Sequence, residues 1–262
     1  MRLHNHLSRR VGLARALSKL GYCSRSRAFQ LIQAGRVAVN GRVRTDPETP
    51  VRLERDLIEV DSKPIALQNH VYLLMNKPRG VITTVADEKG RKTVYSLLGD
   101  GLPWVAPVGR LDKASEGLLL LTNNSEWGAR VTSPATHLDK TYHVQVACVA
   151  DAPLIDRITK GITTNEGDRL RAKVARILRG GEKNTWLEIV LDEGKNRHIR
   201  RMLAALGIEV LRLVRIAIGP LTLGDLPKGA TRTLSATEKQ SLDAAMNNRT
   251  AEDTECAGKR RR

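Results

Sequence analysis

The chain has 262 residues, 41% of them hydrophobic, and a formal net charge of +16, which allows more than one domain and a sizeable core. The charge makes polyanions the first partners to consider, because Lys and Arg gain free energy by releasing phosphate counterions. A membrane surface is the competing polyanion, but no apolar run of about 18 residues offers a spanning helix and the opening MRLHNHLSRR lacks the apolar core of a signal peptide, so a cytoplasmic location is the expectation.

Residues 1–45 hold ten Lys or Arg and no Asp or Glu, so the charge is a footprint at one end. Residues 1–10 read as a basic arm. Leu13 to Leu20 reads as a short helix ending at Gly21, and Ser24 caps a second helix with Ala28, Leu31 and Ile32 on its buried face and Gly35 beyond its end. Arg25 and Arg27 fall in that helix's first turn, where the dipole disfavours cations; phosphate is a simple reason for them to be there. Arg36 to Val39 alternates as a strand, Asn40-Gly41 turns the chain, and Arg42-Val43-Arg44 returns, with Leu57 to Val60 closing the unit.

A linker at 62–70 leads to a larger region. Val71–Met75, Val81–Val85, the apolar run Leu118–Leu121 and the alternating Lys140–Val149 read as strands. Asp151, with Pro153 behind it, opens a helix to about Lys160. Ala172–Leu178 and Thr185–Asp192 form a hairpin through Gly180-Gly181, Asn196–Leu206 is a helix, and Val210–Ile218 is a strand. Ser235-Ala236-Thr237-Glu238 is a capping box for a last helix to about Met246. The tail through Lys259-Arg260-Arg261-Arg262 reads as disordered. Long strands outnumber helices without regular alternation, which predicts an α+β fold on a mixed or antiparallel sheet. The segments are therefore an arm at 1–10, a first domain at 11–61, a linker at 62–70, a main domain at 71–235, and a helix with a basic tail at 236–262.

No GxxxxGK[ST], HExxH or GxSxG pattern occurs, the six histidines lack metal-ligand spacing, and Cys23, Cys148 and Cys256 lie far apart. No cofactor, metal or nucleotide is expected. The informative stretch is Gly109-Arg110-Leu111-Asp112-Lys113-Ala114-Ser115-Glu116-Gly117-Leu118. If Arg110 to Asp112 is extended, the Arg and the Asp point to one side, and cationic neighbours keep the carboxylate ionised. A carboxylate held near RNA needs a reason, and covalent attack or proton transfer supplies one; a surface salt bridge is the alternative. In Glu193 to Met202, Ile199, Met202, Leu203 and Leu206 share a core face, with Arg197, Arg200 and Arg201 on another.

Two resemblances bear on these residues. Gly21-Tyr22-Cys23-Ser24-Arg25 with Ile32 through Gly41 resembles the αL RNA-binding motif, known from a ribosomal small-subunit protein and from bacterial tyrosyl-tRNA synthetases. That resemblance implies RNA contacts from the second helix and hairpin, including Arg25, Arg27, Arg36 and Arg42. The run from Gly109 to Asn123, GRLDKASEGLLLLTN, resembles the first motif of the RsuA-type pseudouridine synthases. Lys140-Thr141-Tyr142-His143-Val144 resembles that family's KxYxV strand, and Glu193 to Met202 its EGKNRQIRRM motif, with His198 where Gln is usual. The resemblance implies Asp112 as the essential catalytic residue and Arg110 as helping to occupy the gap left by a flipped base or to position the RNA. It implies Tyr142 as stacking on that base and taking part in the later proton step, Arg200 as pairing with the carboxylate, and Ile199 as lining the pocket. Lys140, Lys195, Arg197 and Arg201 are expected RNA contacts. The segment Leu213-Val214-Arg215-Ile216 is expected to be structural. Ribosomal RNA or a ribosomal assembly particle is the expected partner of a monomer; a non-catalytic assembly factor and a tRNA-directed synthase are the rivals.

Overall fold

The computed structural model describes residues 10–66, 68–84 and 90–259. Two compact units emerge: Met1–Tyr72 with Gly99–Ala106 and Thr122–Ser125, and Leu73–Leu98 with Pro107–Leu121 and Glu126–Arg262.

The first unit runs β1 (Val11–Gly12), α1 (Leu13–Lys19), α2 (Arg25–Gln33), β2 (Val37–Val39), β3 (Arg42–Arg44), β4 (Pro50–Val51), β5 (Ile58–Val60) and β6 (Lys63–Pro64). Ser24 caps α2 by accepting from the Arg27 amide at 3.1 Å. Leu13 and Leu17 of α1 and Ile32 of α2 are fully buried in one core with Val37 of β2 and Val60 of β5. Asn40 and Gly41 both have positive φ, 51° and 74°, as a two-residue turn matching strand twist requires. The four-stranded sheet has the order β3-β2-β5-β6, so the stretch read as a linker begins with a paired strand. Residues 1–9 of the expected arm lie outside the described residues.

In the second unit come β7 (Tyr72–Lys77), β8 (Ala106–Val108), β9 (Glu116–Thr122), α3 (Ser125–Thr132), β10 (Lys140–Val146), α4 (Ala152–Lys160), β11 (Ile162–Thr163) and β12 (Arg169–Leu170). They are followed by β13 (Val174–Gly180), β14 (Thr185–Leu191), α5 (His198–Ala204), β15 (Val210–Ile218), β16 (Leu221–Thr222), β17 (Thr231–Thr233) and α6 (Ala236–Lys259). The sheet order is β13-β14-β10-β15-β9-β7-β17. β15 and β9 pair in parallel, while β10 is antiparallel to both β14 and β15, so the sheet is mixed. Every residue of β9 is buried, which suits a central strand covered on both faces. Val144 and Val146 of β10 share a core with Leu187 and Ile189 of β14, Ile158 of α4, and Ile199 and Met202 of α5.

Caps fix the helices. Asp151 accepts from the Leu154 amide at 2.9 Å. Ser235 and Glu238 exchange reciprocal bonds, 3.1 Å and 2.8 Å, closing the capping box of α6. Leu242 and Met246 of α6 are fully buried, and Trp127 donates to Asp243 at 2.8 Å.

Several expectations need correction. The last helix continues to Lys259 instead of stopping near Met246; residues 260–262 of the basic tail lie outside the described residues. No strand forms over the described part of Val81–Val85: Ile82 makes a single bridge to Thr93, and Val85 is not described. The long strand from Lys140 ends at Val146, not Val149. α5 starts at His198, because Arg197 adopts a left-handed conformation with φ 47° that a helix interior does not tolerate. Arg197 therefore does not share the helical face of Arg200 and Arg201.

Candidate active site

The loop between β8 and β9 carries the Arg-Leu-Asp triplet. Leu111 is its anchor, 6% exposed, with its backbone bound at both ends to the Thr83 hydroxyl, which accepts from Leu111 N at 3.3 Å and donates to Leu111 O at 2.8 Å. Arg110 and Asp112 flank that anchor and are exposed. A turn follows, closed by the Ser115 amide donating to the Asp112 carbonyl at 3.0 Å. Beneath the turn lies Lys77 at the end of β7, fully buried. Its ammonium donates to the carbonyls of Asp112 at 3.1 Å, Ser115 at 2.9 Å and Pro78 at 3.2 Å. Burial, opposed by the nearby carboxylates of Asp112 and Glu116, lowers its pKa from 10.5 to about 8. From α5, Arg200 donates to the Ala114 carbonyl at 3.1 Å and the Val210 carbonyl at 3.3 Å.

One cavity of about 590 Å³ opens in front of this loop, lined by Arg110, Asp112, Lys140, Tyr142, Ile199 and Arg215 among others. Tyr142 is half-buried on β10, directly opposite Arg215 of β15. A bulge puts them there: the pairing steps from Thr141–Ala217 to Tyr142–Arg215, skipping Ile216, which re-aims the side chains of β15. β9 approaches β15 at Gly117, with φ 101°, where an added Cβ would lie 2.2 Å from the Arg215 carbonyl oxygen; only glycine fits.

The cavity's other wall is the Asp192–Arg197 loop leading into α5. Lys195 pairs with Glu193 at 3.1 Å, and Arg197 is exposed. His198 is buried at 3% exposure, and neither ring nitrogen has a hydrogen-bond partner among the described residues. Burial pushes its imidazole below the usual value; the Glu193 carboxylate at 3.8 Å and the nearby Arg171 carbonyl only partly oppose this, so the ring is neutral at pH 7. Burial, and then the Arg215 guanidinium, likewise lower the Lys140 ammonium.

The structure thus gathers Asp112, Arg110, Tyr142, Ile199, Lys140, Lys195 and Arg197 around one cavity. Arg200 stands elsewhere than the sequence reading placed it. Its guanidinium holds the backbone behind Asp112 and, among the described residues, makes no ion pair with the carboxylate, although the charge of Asp112 acts on it. Nor is Asp112 buried; it opens into the cavity. Arg201 is engaged by Glu166 and Asp168 of the β11–β12 turn. In the first unit, Arg36 forms a two-pronged pair with Asp61, its Nε donating at 2.7 Å, while Arg25, Arg27 and Arg42 remain exposed. Sequence reasoning missed Lys77 and Arg215. Lys77 gave no local signal, but an Arg between the apolar residues Leu213-Val214 and Ile216 was one. Among the described residues no cluster of three or more His, Cys, Asp or Glu could hold a metal, and no helix is long and apolar enough to cross a membrane.

A mixed sheet that presents an Asp loop, a Tyr strand and a basic loop-helix to one cavity is the arrangement of an enzyme acting on a polyanion. Residues 71–205 match the RNA pseudouridylate synthase family and residues 11–58 match the S4 domain. An uncharacterized RNA pseudouridine synthase of Aquifex aeolicus (strain VF5) is 40% identical over 237 residues, covering 90% of this chain and 95% of its own. Ribosomal large subunit pseudouridine synthase B of Bacillus subtilis (strain 168) is 36% identical over 233 residues, covering 88% and 95%. A crystal structure of a pseudouridylate synthase superposes with a TM-score of 0.63 at 27% identity, covering 88% of this chain and 99% of that one. The chain belongs to the RNA pseudouridylate synthase family and carries an S4 domain at its amino-terminal end.

Proposed function

We propose that this chain converts a uridine of ribosomal RNA to pseudouridine, with Asp112 as the essential carboxylate. The observation that carries the reading is the exposed Asp112 side chain opening into the cavity that Tyr142 also lines. The substrate class is supported by the likeness to an enzyme named for the large ribosomal subunit and by an S4 domain with Arg25, Arg27 and Arg42 exposed. The target base must leave its stack, which costs a few kcal/mol; stacking on Tyr142 returns about 1–3 kcal/mol. Arg110, two residues before Asp112 on the same loop, occupies the gap that the base leaves in the RNA. Asp112 then acts at the sugar, either as nucleophile on C1′ or as base toward a sugar proton. Lys77 and Arg200 hold the turn that carries it, and Lys140, Lys195 and Arg197 supply positive potential for the phosphates on either side. The protein works as a monomer in the cytoplasm. Mapping pseudouridines in a deletion strain tests the reading: loss of one ribosomal RNA site, restored by the wild-type gene, is expected. Unchanged ribosomal RNA with loss of a tRNA site would overturn the substrate.

A further inference from the structure

Arg215 has no place in the roles described so far, yet it is the most confined cation of the cavity wall. It is 6% exposed. Its Nε donates to the Leu118 carbonyl of the neighbouring strand β9 at 2.8 Å, which fixes the plane of the guanidinium. Among the described residues that is the one hydrogen bond its side chain makes, and Nη2 is buried with no partner. Leaving a charged donor buried and unsatisfied costs more than leaving a neutral one so. A fold that only needed to fill space here would place a leucine. The strand register sets Arg215 directly beside Tyr142, the residue proposed to lie against the base, and side chains so paired have Cβ atoms about 4.5–5.5 Å apart. The same cavity holds Asp112.

We propose that Arg215 is a catalytic residue that donates a hydrogen bond to a carbonyl oxygen of the target uracil and stabilises the base as it leaves the sugar. The inference rests on the reading of this cavity as the site of pseudouridine formation. When the C1′–N1 bond breaks, its electron pair goes to N1, and the resulting negative charge spreads onto O2 and O4. The detached ring turns, and the C5 electron pair forms the C1′–C5 bond. C5 then loses its proton and N1 gains one, so atoms and electrons balance with no further reactant. This holds whether Asp112 attacks C1′ or removes a sugar proton, because the base departs with the pair in both cases. A guanidinium aimed at a carbonyl oxygen binds weakly to neutral uridine and strongly to the anion, which is the differential binding that lowers a barrier. Entry of the base and movement of Tyr142 onto it bring the unpaired amines of Arg215 within reach.

The test uses the full chain, its RNA substrate under single-turnover conditions, and Arg215→Gln, which keeps a donor but loses the charge, with Arg215→Lys as a second variant. The expected result for Arg215→Gln is a fall in the single-turnover rate of about 10²–10³-fold, the usual loss for one such donor, with RNA affinity within about 3-fold of wild type. Arg215→Lys, which keeps the charge, recovers part of the rate. The discriminating readout is RNA with 5-fluorouridine at the target. Fluorine makes the base a better leaving group, so the deficit of Arg215→Gln in consuming 5-fluorouridine should shrink by about tenfold or more. An equal deficit with both bases would show a merely structural role, and a loss confined to RNA affinity would make Arg215 a phosphate contact; either overturns the proposal. Asp112→Asn separates the two levels. If it is inactive while Arg215→Gln keeps full rate, only the role of Arg215 falls; if Asp112→Asn is active, the reading of the cavity falls.

Discussion

Lys77→Met probes how the Asp112–Ser115 turn is held. Methionine matches the length of lysine without its donors, so three carbonyl oxygens lose the ammonium, two of them in the Asp112–Ser115 turn. An orphaned buried carbonyl costs about 1–3 kcal/mol. Against this, the substitution removes a charge whose burial already takes the pKa from 10.5 to about 8, an opposing contribution of about 3 kcal/mol at about 1.4 kcal/mol per unit. Because the Asp112 carbonyl keeps the Ser115 amide, at most two carbonyls are orphaned, about 2–6 kcal/mol together, so after the relief of about 3 kcal/mol the net loss of global stability should be at most about 3 kcal/mol. The turn, however, loses what fixes it, and a displacement of about 1 Å at a reacting group costs about 10²-fold in rate. Urea denaturation and a single-turnover pseudouridine assay on the same preparation measure both quantities. A rate within about 3-fold of wild type, at unchanged stability, would refute the claim that Lys77 positions Asp112.

Other consequences can be checked singly. Tyr142→Leu should lose about 1–3 kcal/mol of stacking, read as a rate defect that Tyr142→Phe largely avoids; equal defects in both would point to the hydroxyl instead. Glu238 accepts from Arg232 and from the Ser235 amide, which holds its carboxyl down to about 2 from 4.5. As pH falls the unfolded chain takes up this proton first, so the stabilisation is complete above about pH 4.5 and is lost as pH drops toward 2. Because that side chain is 28% exposed, about 2 kcal/mol is the ceiling, and Glu238→Gln should flatten that part of the melting-temperature profile. Arg201→Ala should leave RNA affinity unchanged and destabilise the β11–β12 turn, since Glu166 and Asp168 engage the guanidinium. By contrast Arg197→Ala should weaken RNA binding and reduce the slope of log affinity against log salt by about one. Isothermal binding at several salt concentrations separates these two arginines.

What the sequence made legible was what depends on neighbours a few residues apart. The Ser24, Asp151 and Ser235 caps close within three residues, and the Asn40-Gly41 turn needs only two positive φ angles. The apolar run in β9 is visible because burial on both faces removes alternation. Lys77 was hidden because its carbonyl partners in the turn lie 35 and 38 residues away, while next to Pro78 it reads as the polar end of a strand. Arg215 faces the cavity through a bulge at Ile216, and alternation carries no mark of such a slip. Arg197 breaks the helical pattern only by adopting φ 47°, a choice of backbone that side-chain periodicity does not encode. The acidic partners of Arg201 lie 33 and 35 residues earlier, so a helix face that reads as solvated and basic is in part already neutralised. Family resemblance located Asp112 and Tyr142; distance in sequence concealed what supports them.

The most direct measurement is the single-turnover yield of pseudouridine from ribosomal RNA by Asp112→Asn, with RNA affinity determined alongside. The substitution removes one charge from an exposed side chain and none of the backbone bonds of its turn. The account predicts affinity close to that of the wild type and no detectable product. Product formed at the wild-type rate would contradict it.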